Sequence, residues 1–484
     1  MSHDTLSADA VTRDAVSLDP VVGDAAIGAF AIGDSVSRDP AGGVVQAPAS
    51  LRRALGLSVA LLPLLVPSGP ANASPVDFSI AVSIFMALLW LSHARVRVHV
   101  PYLAGVWILV VAGAVAALLR AQPAGTLALA QDLFVLAWAA VLASCIAADP
   151  TLVDTVCRAW SWSAVGWAGA IVAGRLLGIG WLAGTTTADG SRASLTFGDP
   201  NLAGSYYVAC VFVVLASRHP GRRSARVATV GLLVAAVACT GSNGALLSLA
   251  IGAGVSLVVG RASRRSGALA AIGVACLLVL GVAALSSLID VTALREQAAA
   301  SGPLLRDSVG RSDESSRERE ILVAEGTRLY LGNDLVGVGP GMTKEALART
   351  LAPYVKEAHD DYVATLVERG ALGGLGLVVL LTSVAIRLGG LVGSGRDGPA
   401  AARAGAGSDV SANGRGQPVR AQFLVGLGVA FVASGTFYEV LHFRHVWTYL
   451  GLVAGLHLLA TRRGGRPGGG PRLLAREEAS CSSV

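Results

Sequence analysis

From residue 54 onward the chain alternates long apolar runs with shorter polar connections. The runs cover approximately 54–68, 76–92, 101–119, 126–147, 159–177, 201–217, 227–240, 244–260, 267–288, 371–388, 421–438 and 446–461. A helix needs about 20 mostly apolar residues to cross a hydrocarbon core of about 30 Å, and in lipid the backbone polar groups must be satisfied within the helix itself. The pattern therefore predicts an all-α fold: a polytopic membrane helix bundle of about twelve transmembrane helices, with a partly helical extracytoplasmic loop.

The connections supply the domain plan. Residues 1–50 are rich in Ala, Asp, Val, Gly and Ser, with Asp recurring at Asp4, Asp9, Asp14, Asp19 and Asp24. Such a segment buries little and is expected to be a disordered cytoplasmic tail. Transmembrane helices one to nine then occupy 51–288, a large extracytoplasmic loop 289–370, and helices ten to twelve 371–461, with 389–420 a flexible cytoplasmic linker. Residues 462–484 form a second cytoplasmic tail. Within the large loop, Arg317 to Tyr330 reads as a short helix, and Thr343 as the cap of another whose Leu347, Leu351 and Tyr354 share a face. The run 54–67 followed by Ala71-Asn72-Ala73 also has the look of a signal region, but its fifty-residue leader speaks against that reading.

Charge orients this plan. Arginines are retained on the cytoplasmic side during insertion, and they follow alternate runs: Arg52 and Arg53 before the first, Arg95 and Arg97 after the second. Arg218, Arg222, Arg223 and Arg226 follow the sixth, Arg261, Arg264 and Arg265 the eighth, and Arg462, Arg463 and Arg466 the last. Both termini are expected inside, in a multi-pass protein of the inner (plasma) membrane.

Composition agrees. The 484 residues are 53% hydrophobic and 14% charged, and the mean hydropathy is +0.61, too apolar for a soluble domain of this size. The net charge of +6 raises the question of nucleic acid, but the arginines lie between apolar runs and make no basic face, so no nucleic-acid partner is expected. Cys145, Cys157, Cys210, Cys239 and Cys276 lie in or beside apolar runs without metal-ligand spacing, as small core hydrophobes. No metal site and no cofactor are expected.

Candidate chemistry lies in the outward connections. His359-Asp360-Asp361-Tyr362 precedes the apolar run that starts near Ala371. Histidine accepts a proton near neutrality, and a neighbouring carboxylate can orient its ring; a solvated loop histidine is the plain alternative. Arg192, Arg306, Arg311, Arg317, Arg319 and Arg328 place positive charge outside, against the topological bias. Guanidinium groups hold phosphate through a planar fork of donors, although ordinary loop charge explains them equally well. Gly337-Val338-Gly339-Pro340-Gly341 lacks the strand and the Lys-Ser or Lys-Thr of a phosphate loop and reads as a structural turn. Leu441-His442-Phe443-Arg444-His445 reads as an interfacial anchor.

Taken in order, Phe197-Gly198-Asp199-Pro200-Asn201, Thr240-Gly241-Ser242-Asn243-Gly244, Gly337 to Gly341 and His359-Asp360-Asp361-Tyr362 resemble motifs of the O-antigen ligase and O-antigen polymerase superfamily of bacterial membrane glycosyltransferases, over roughly residues 54 to 461. The resemblance implies a GT-C-like helix bundle. It implies a metal-independent, inverting enzyme that moves polyprenyl-diphosphate-linked glycan onto a glycan, lipid or protein acceptor at the membrane's outer face. By resemblance His359, with Asp360 beside it, activates the acceptor hydroxyl. Arg192 and one of Arg317 and Arg319 hold the diphosphate, and Asn201, Asn243 and Tyr362 complete the substrate-binding set. Asn243 stands where many relatives have Arg, and Asp360 where many have Asn. Polymerase and ligase are not separated by these residues. A transporter or lipid-linked glycan flippase of similar span count is the alternative from another class, and an inactive scaffold is a third.

Overall fold

The computed structural model describes residues 45–66, 73–122, 125–184, 192–262, 314–332, 336–350, 360–394 and 419–464. The expected tail to residue 44, the ninth apolar run, Arg306, Arg311, His359, Leu351, Tyr354, most of the linker 389–420 and the tail from 465 lie outside them.

The described elements are helical, with no strand among them. In chain order they are α1 (Ala49–Ala60), α2 (Pro75–His93), α3 (Leu103–Leu119), α4 (Gly125–Ala148), α5 (Leu152–Leu176), the single turn α6 (Gly180–Ala183), α7 (Pro200–Ser217), α8 (Arg223–Thr240) and α9 (Asn243–Ala262). After these come α10 (Glu314–Gly332), α11 (Thr343–Thr350), α12 (Asp361–Ser394), α13 (Ala421–Ser434) and α14 (Arg444–Gly464). Among the described residues, six helices are long and apolar enough to cross a membrane: α2, α4, α7, α8, α9 and α12. The protein is a helical, multi-pass membrane protein; α3 and α13 are apolar but shorter.

Helix ends follow local chemistry. Ser74 and Asp77 form a reciprocal capping box at the start of α2, with Pro75 at its first position. Asp199 caps α7 by accepting from the backbone N–H groups of Asn201 (2.6 Å) and Leu202 (3.1 Å), again with proline first.

Almost every side chain of α7 is buried, and α7 packs among α5, α8, α9 and α13. Phe197, Tyr206 and Tyr207 cluster at its head, with ring centroids 5.2 to 6.2 Å apart. Helix α12 lies along α3 and α14 along α4. Lipid gives apolar side chains no hydrophobic reason to associate, so close approach and interhelical hydrogen bonds must hold such pairs. Both are present. A Cβ at Gly105 would come within 2.7 Å of the Leu380 backbone nitrogen. Trp138 Nε1 donates to Thr448 Oγ1 (2.9 Å), Tyr102 OH to the Leu450 carbonyl (3.1 Å) and Tyr449 OH to the Leu424 carbonyl (2.8 Å).

Polar contacts collect at the two ends of the bundle. At one end Arg52 pairs with buried Asp149 (2.7 Å) and Arg462 donates to the Ala147 carbonyl (2.6 Å). The other end carries the head of α7, the α8–α9 turn, the start of α12 and the α13–α14 connection, and holds the motifs singled out above.

Candidate functional site

Arg192 is drawn onto the head of α7. Its Nη2 donates to Asn201 Oδ1 (2.8 Å) and its Nε to the Thr240 carbonyl (3.1 Å). Ser242 Oγ donates to the same Asn201 oxygen (3.0 Å). The chain stays in register because Ala193 N–H bonds the Cys239 carbonyl (3.1 Å), which lays the loop against the last turn of α8. Gly241, at φ +56°, then ends α8 in the left-handed region. Two motifs far apart in sequence thus form one polar network around a half-buried guanidinium. Asn243 is exposed, beside this network at the start of α9.

A second assembly surrounds the start of α12. Asp360 Oδ1 accepts from the N–H groups of Tyr362 (2.8 Å) and Val363 (2.9 Å), which caps the helix. Burial raises the Asp360 carboxyl above its ordinary pKa, and these two donors oppose the shift. Asp361 accepts from the N–H groups of Val440 (2.8 Å) and Leu441 (3.3 Å) and donates its own to the Gly435 carbonyl (2.8 Å), so α12 is tied to the α13–α14 connection. Tyr362 OH donates to the Val432 carbonyl (2.8 Å).

Helix α12 begins ten residues before the apolar run read from sequence at Ala371, and it breaks at Gly370 (φ 64°, ψ −163°), a conformation open essentially to glycine. The glycine turn is the reason the break is tolerated. Val338 N–H donates to the Val367 carbonyl (2.8 Å) and Gly339 N–H to the Glu368 carbonyl (3.1 Å), supplying donors that a broken helix lacks. Gly337 fits at φ +95° because a Cβ there would lie 2.6 Å from the Glu368 carbonyl oxygen. Arg120 Nε donates to the Gly337 carbonyl (3.2 Å). Thr343 Oγ1 turns to Glu368 Oε1 (2.9 Å) instead of capping α11.

Beneath these turns lies a cavity of about 30 Å³ lined in part by Asp132, Asp361, Glu368, Arg369, Glu439 and His442. That is room for roughly two water molecules. Arg369 Nη1 pairs with Asp132 (2.7 Å), and Arg444 holds Asp77 through two contacts of 2.8 Å. None of Asp132, Glu368, Arg369 or Glu439 stands out in a motif. The available signal is ionisable residues inside or next to apolar runs, which are costly in a membrane and mark polar interiors.

Arg192, Asn201 and the Thr240–Ser242 turn are therefore brought together, and so are Asp360 and Tyr362. Arg317 and Arg319 belong to α10, their side chains and His359 being outside the described residues. Helix α10 packs on the start of α12, where a Cβ at Gly326 would meet Val363.

Residues 228–378 match the family model described as O-antigen ligase. The match spans the α8–α9 turn, α10, the glycine turn and the head of α12, and it bears out the resemblance to the O-antigen ligase and polymerase superfamily. Arg192 and Asn201 precede it. No curated protein matches the chain.

Proposed function

We propose that this protein is a glycosyltransferase that transfers or polymerises polyprenyl-diphosphate-linked glycan at the outer face of the inner membrane. The family match supports membrane glycan processing of the O-antigen ligase or polymerase type. The observation that carries the finer reading is Arg192, seated on Asn201 and the Thr240–Ser242 turn at the end of an almost wholly buried helix.

In the reaction we infer, an acceptor hydroxyl of a glycan, lipid or protein attacks the anomeric carbon of the donor. The new carbon–oxygen bond forms as the bond to the diphosphate oxygen breaks, from the opposite side, with inversion. The proton passes to His359, and polyprenyl diphosphate departs with the electron pair. A diphosphate becomes a good leaving group once its charge is balanced. Arg192 and an arginine of α10, Arg317 or Arg319, supply that balance, so the step uses no metal and no cofactor. Asp360 orients the base, while Asn201, Asn243 and Tyr362 complete the donor and acceptor contacts. The proposed orientation keeps both termini in the cytoplasm, with 289–370 as the outer loop and about twelve spans.

The test is product formation in membranes holding equal amounts of each variant. His359→Ala is expected to abolish transfer, and Arg192→Ala to slow it about a hundredfold, the scale of losing one group aimed at developing charge. Normal product from His359→Ala would remove the base from the mechanism. Release of polyprenyl diphosphate by wild-type protein given donor and acceptor separates transfer from mere transport.

A further inference from the structure

At the end of the bundle opposite Arg192, three arginines gather where α7 stops and where α8 and α13 begin. Helix α7 has 18 residues, which places Arg218 about 25 Å along the axis from Asn201. Arg218 ends α7 in the left-handed conformation (φ +60°), and its Nε is buried without a hydrogen-bond acceptor among the described residues. Arg226 reaches back from the first turn of α8 and donates Nη1 to the carbonyls of Arg218 (3.0 Å) and Pro220 (3.5 Å). Arg420 is joined to the same turn by its backbone N–H, which bonds the Ala216 carbonyl (3.0 Å).

The carbonyl end of α7 accounts for part of this charge, since a helix C-terminus favours cations. It does not account for three guanidinium groups. Partial burial, then repulsion from Arg218 and Arg226, lowers the pKa of Arg420. The neighbouring carboxylate, Asp154, is already held by Arg158 and by His219 Nε2 (2.8 Å). Among the described residues no carboxylate pairs with Arg218, Arg226 or Arg420. A buried donor without an acceptor, amid like charges, is the arrangement an anion would complete.

We propose that Arg218, Arg226 and Arg420 bind the phosphate-bearing headgroup of an anionic membrane lipid. The position favours a lipid over a soluble ion. The cluster sits at the termini of three apolar helices, where a spanning helix would meet the headgroups. Val227, next to Arg226, is 65% exposed, and Val234 lies two turns further on the same outward face of α8, an apolar track for an acyl chain. Basic pockets between membrane helices recognise lipid phosphates in this way.

The experiment uses the full purified chain reconstituted in phosphatidylcholine vesicles, with phosphatidylglycerol titrated in, and in parallel with inorganic phosphate in solution. Thermal unfolding and mass-spectrometric retention of lipid are the readouts. Phosphatidylglycerol is expected to raise the unfolding midpoint. Arg420→Gln should weaken the response about fivefold, as should Arg218→Gln, the effect expected from one basic side chain near an anionic surface. The Arg420 side chain makes no hydrogen bond in the fold among the described residues, so its variant tests binding without removing a cap. Arg53→Gln, an exposed arginine at the same end, should respond as wild type. Equal responses from wild type, Arg218→Gln and Arg420→Gln would overturn the proposal, and so would an equal rise with inorganic phosphate alone. The outcome is independent of whether His359 or Arg192 acts in transfer.

Discussion

Asp360 joins two roles in one carboxyl group. One oxygen caps α12 through two backbone donors, while the surroundings disfavour its charge and raise its pKa. A carboxyl whose folded pKa lies above its unfolded value, about 3.9 for aspartate, binds its proton more tightly in the folded state. The resulting penalty is absent below the unfolded value and fully present above the folded one. Stability should therefore fall as pH rises through that interval. Asp360→Asn keeps an oxygen to accept the two N–H groups and cannot ionise. Thermal unfolding of wild type and Asp360→Asn across acidic to neutral pH is expected to show the decline in wild type and a flatter profile in the variant. Relative to Asp360→Asn, which keeps the cap, Asp360→Ala should be about 1 kcal/mol less stable at every pH, the usual worth of a helix cap.

Among the elements, the break in α12 most directly shapes the site. Gly370 holds a backbone conformation that other residues adopt only under strain, so Gly370→Ala should cost about 1 to 3 kcal/mol and loosen the glycine turn from the carbonyls of Val367 and Glu368. A lowered unfolding midpoint together with lost transfer would be the signature; an unchanged midpoint would mean the break carries no strain. Part of this region was legible in the chain: the apolar run 371–388 marks the portion of α12 after the break, and the Gly337–Gly341 segment reads as a turn. The break was not, because one glycine in Arg369-Gly370-Ala371 looks like any small residue of a membrane helix. Nor was the role of Thr343, whose hydroxyl satisfies Glu368 from another element. Local patterns report local hydrogen bonds, and both features depend on where a distant segment comes to rest.

In the whole molecule the same limit governs the Asp132–Arg369 pair, which bridges α4 and α12 and is 15% and 6% exposed. Asp132 sits inside an apolar run, and nothing nearby in sequence names its counter-ion. Removing one member strands the other in a poorly solvated place. Arg369→Met alone should therefore destabilise by about 3 to 5 kcal/mol, whereas Asp132→Leu with Arg369→Met should recover most of the loss. Unfolding of the single and double variants checks this. If the double variant is stable but inactive, the pair shapes the polar cavity beneath α12 and is not needed for folding.

The way the glycine turn grips α12 bears on the continuity of the chain. Val338 and Gly339 are stitched to Val367 and Glu368 by backbone hydrogen bonds, Asp361 is fastened to the α13–α14 connection, and α12 lies along α3. None of these ties needs an intact peptide bond between residues 350 and 360. A gene divided there, its halves co-expressed as separate polypeptides, should yield two fragments that reassemble in the membrane and co-purify through a tag on either one. Gly370→Ala in the second fragment should weaken that complementation.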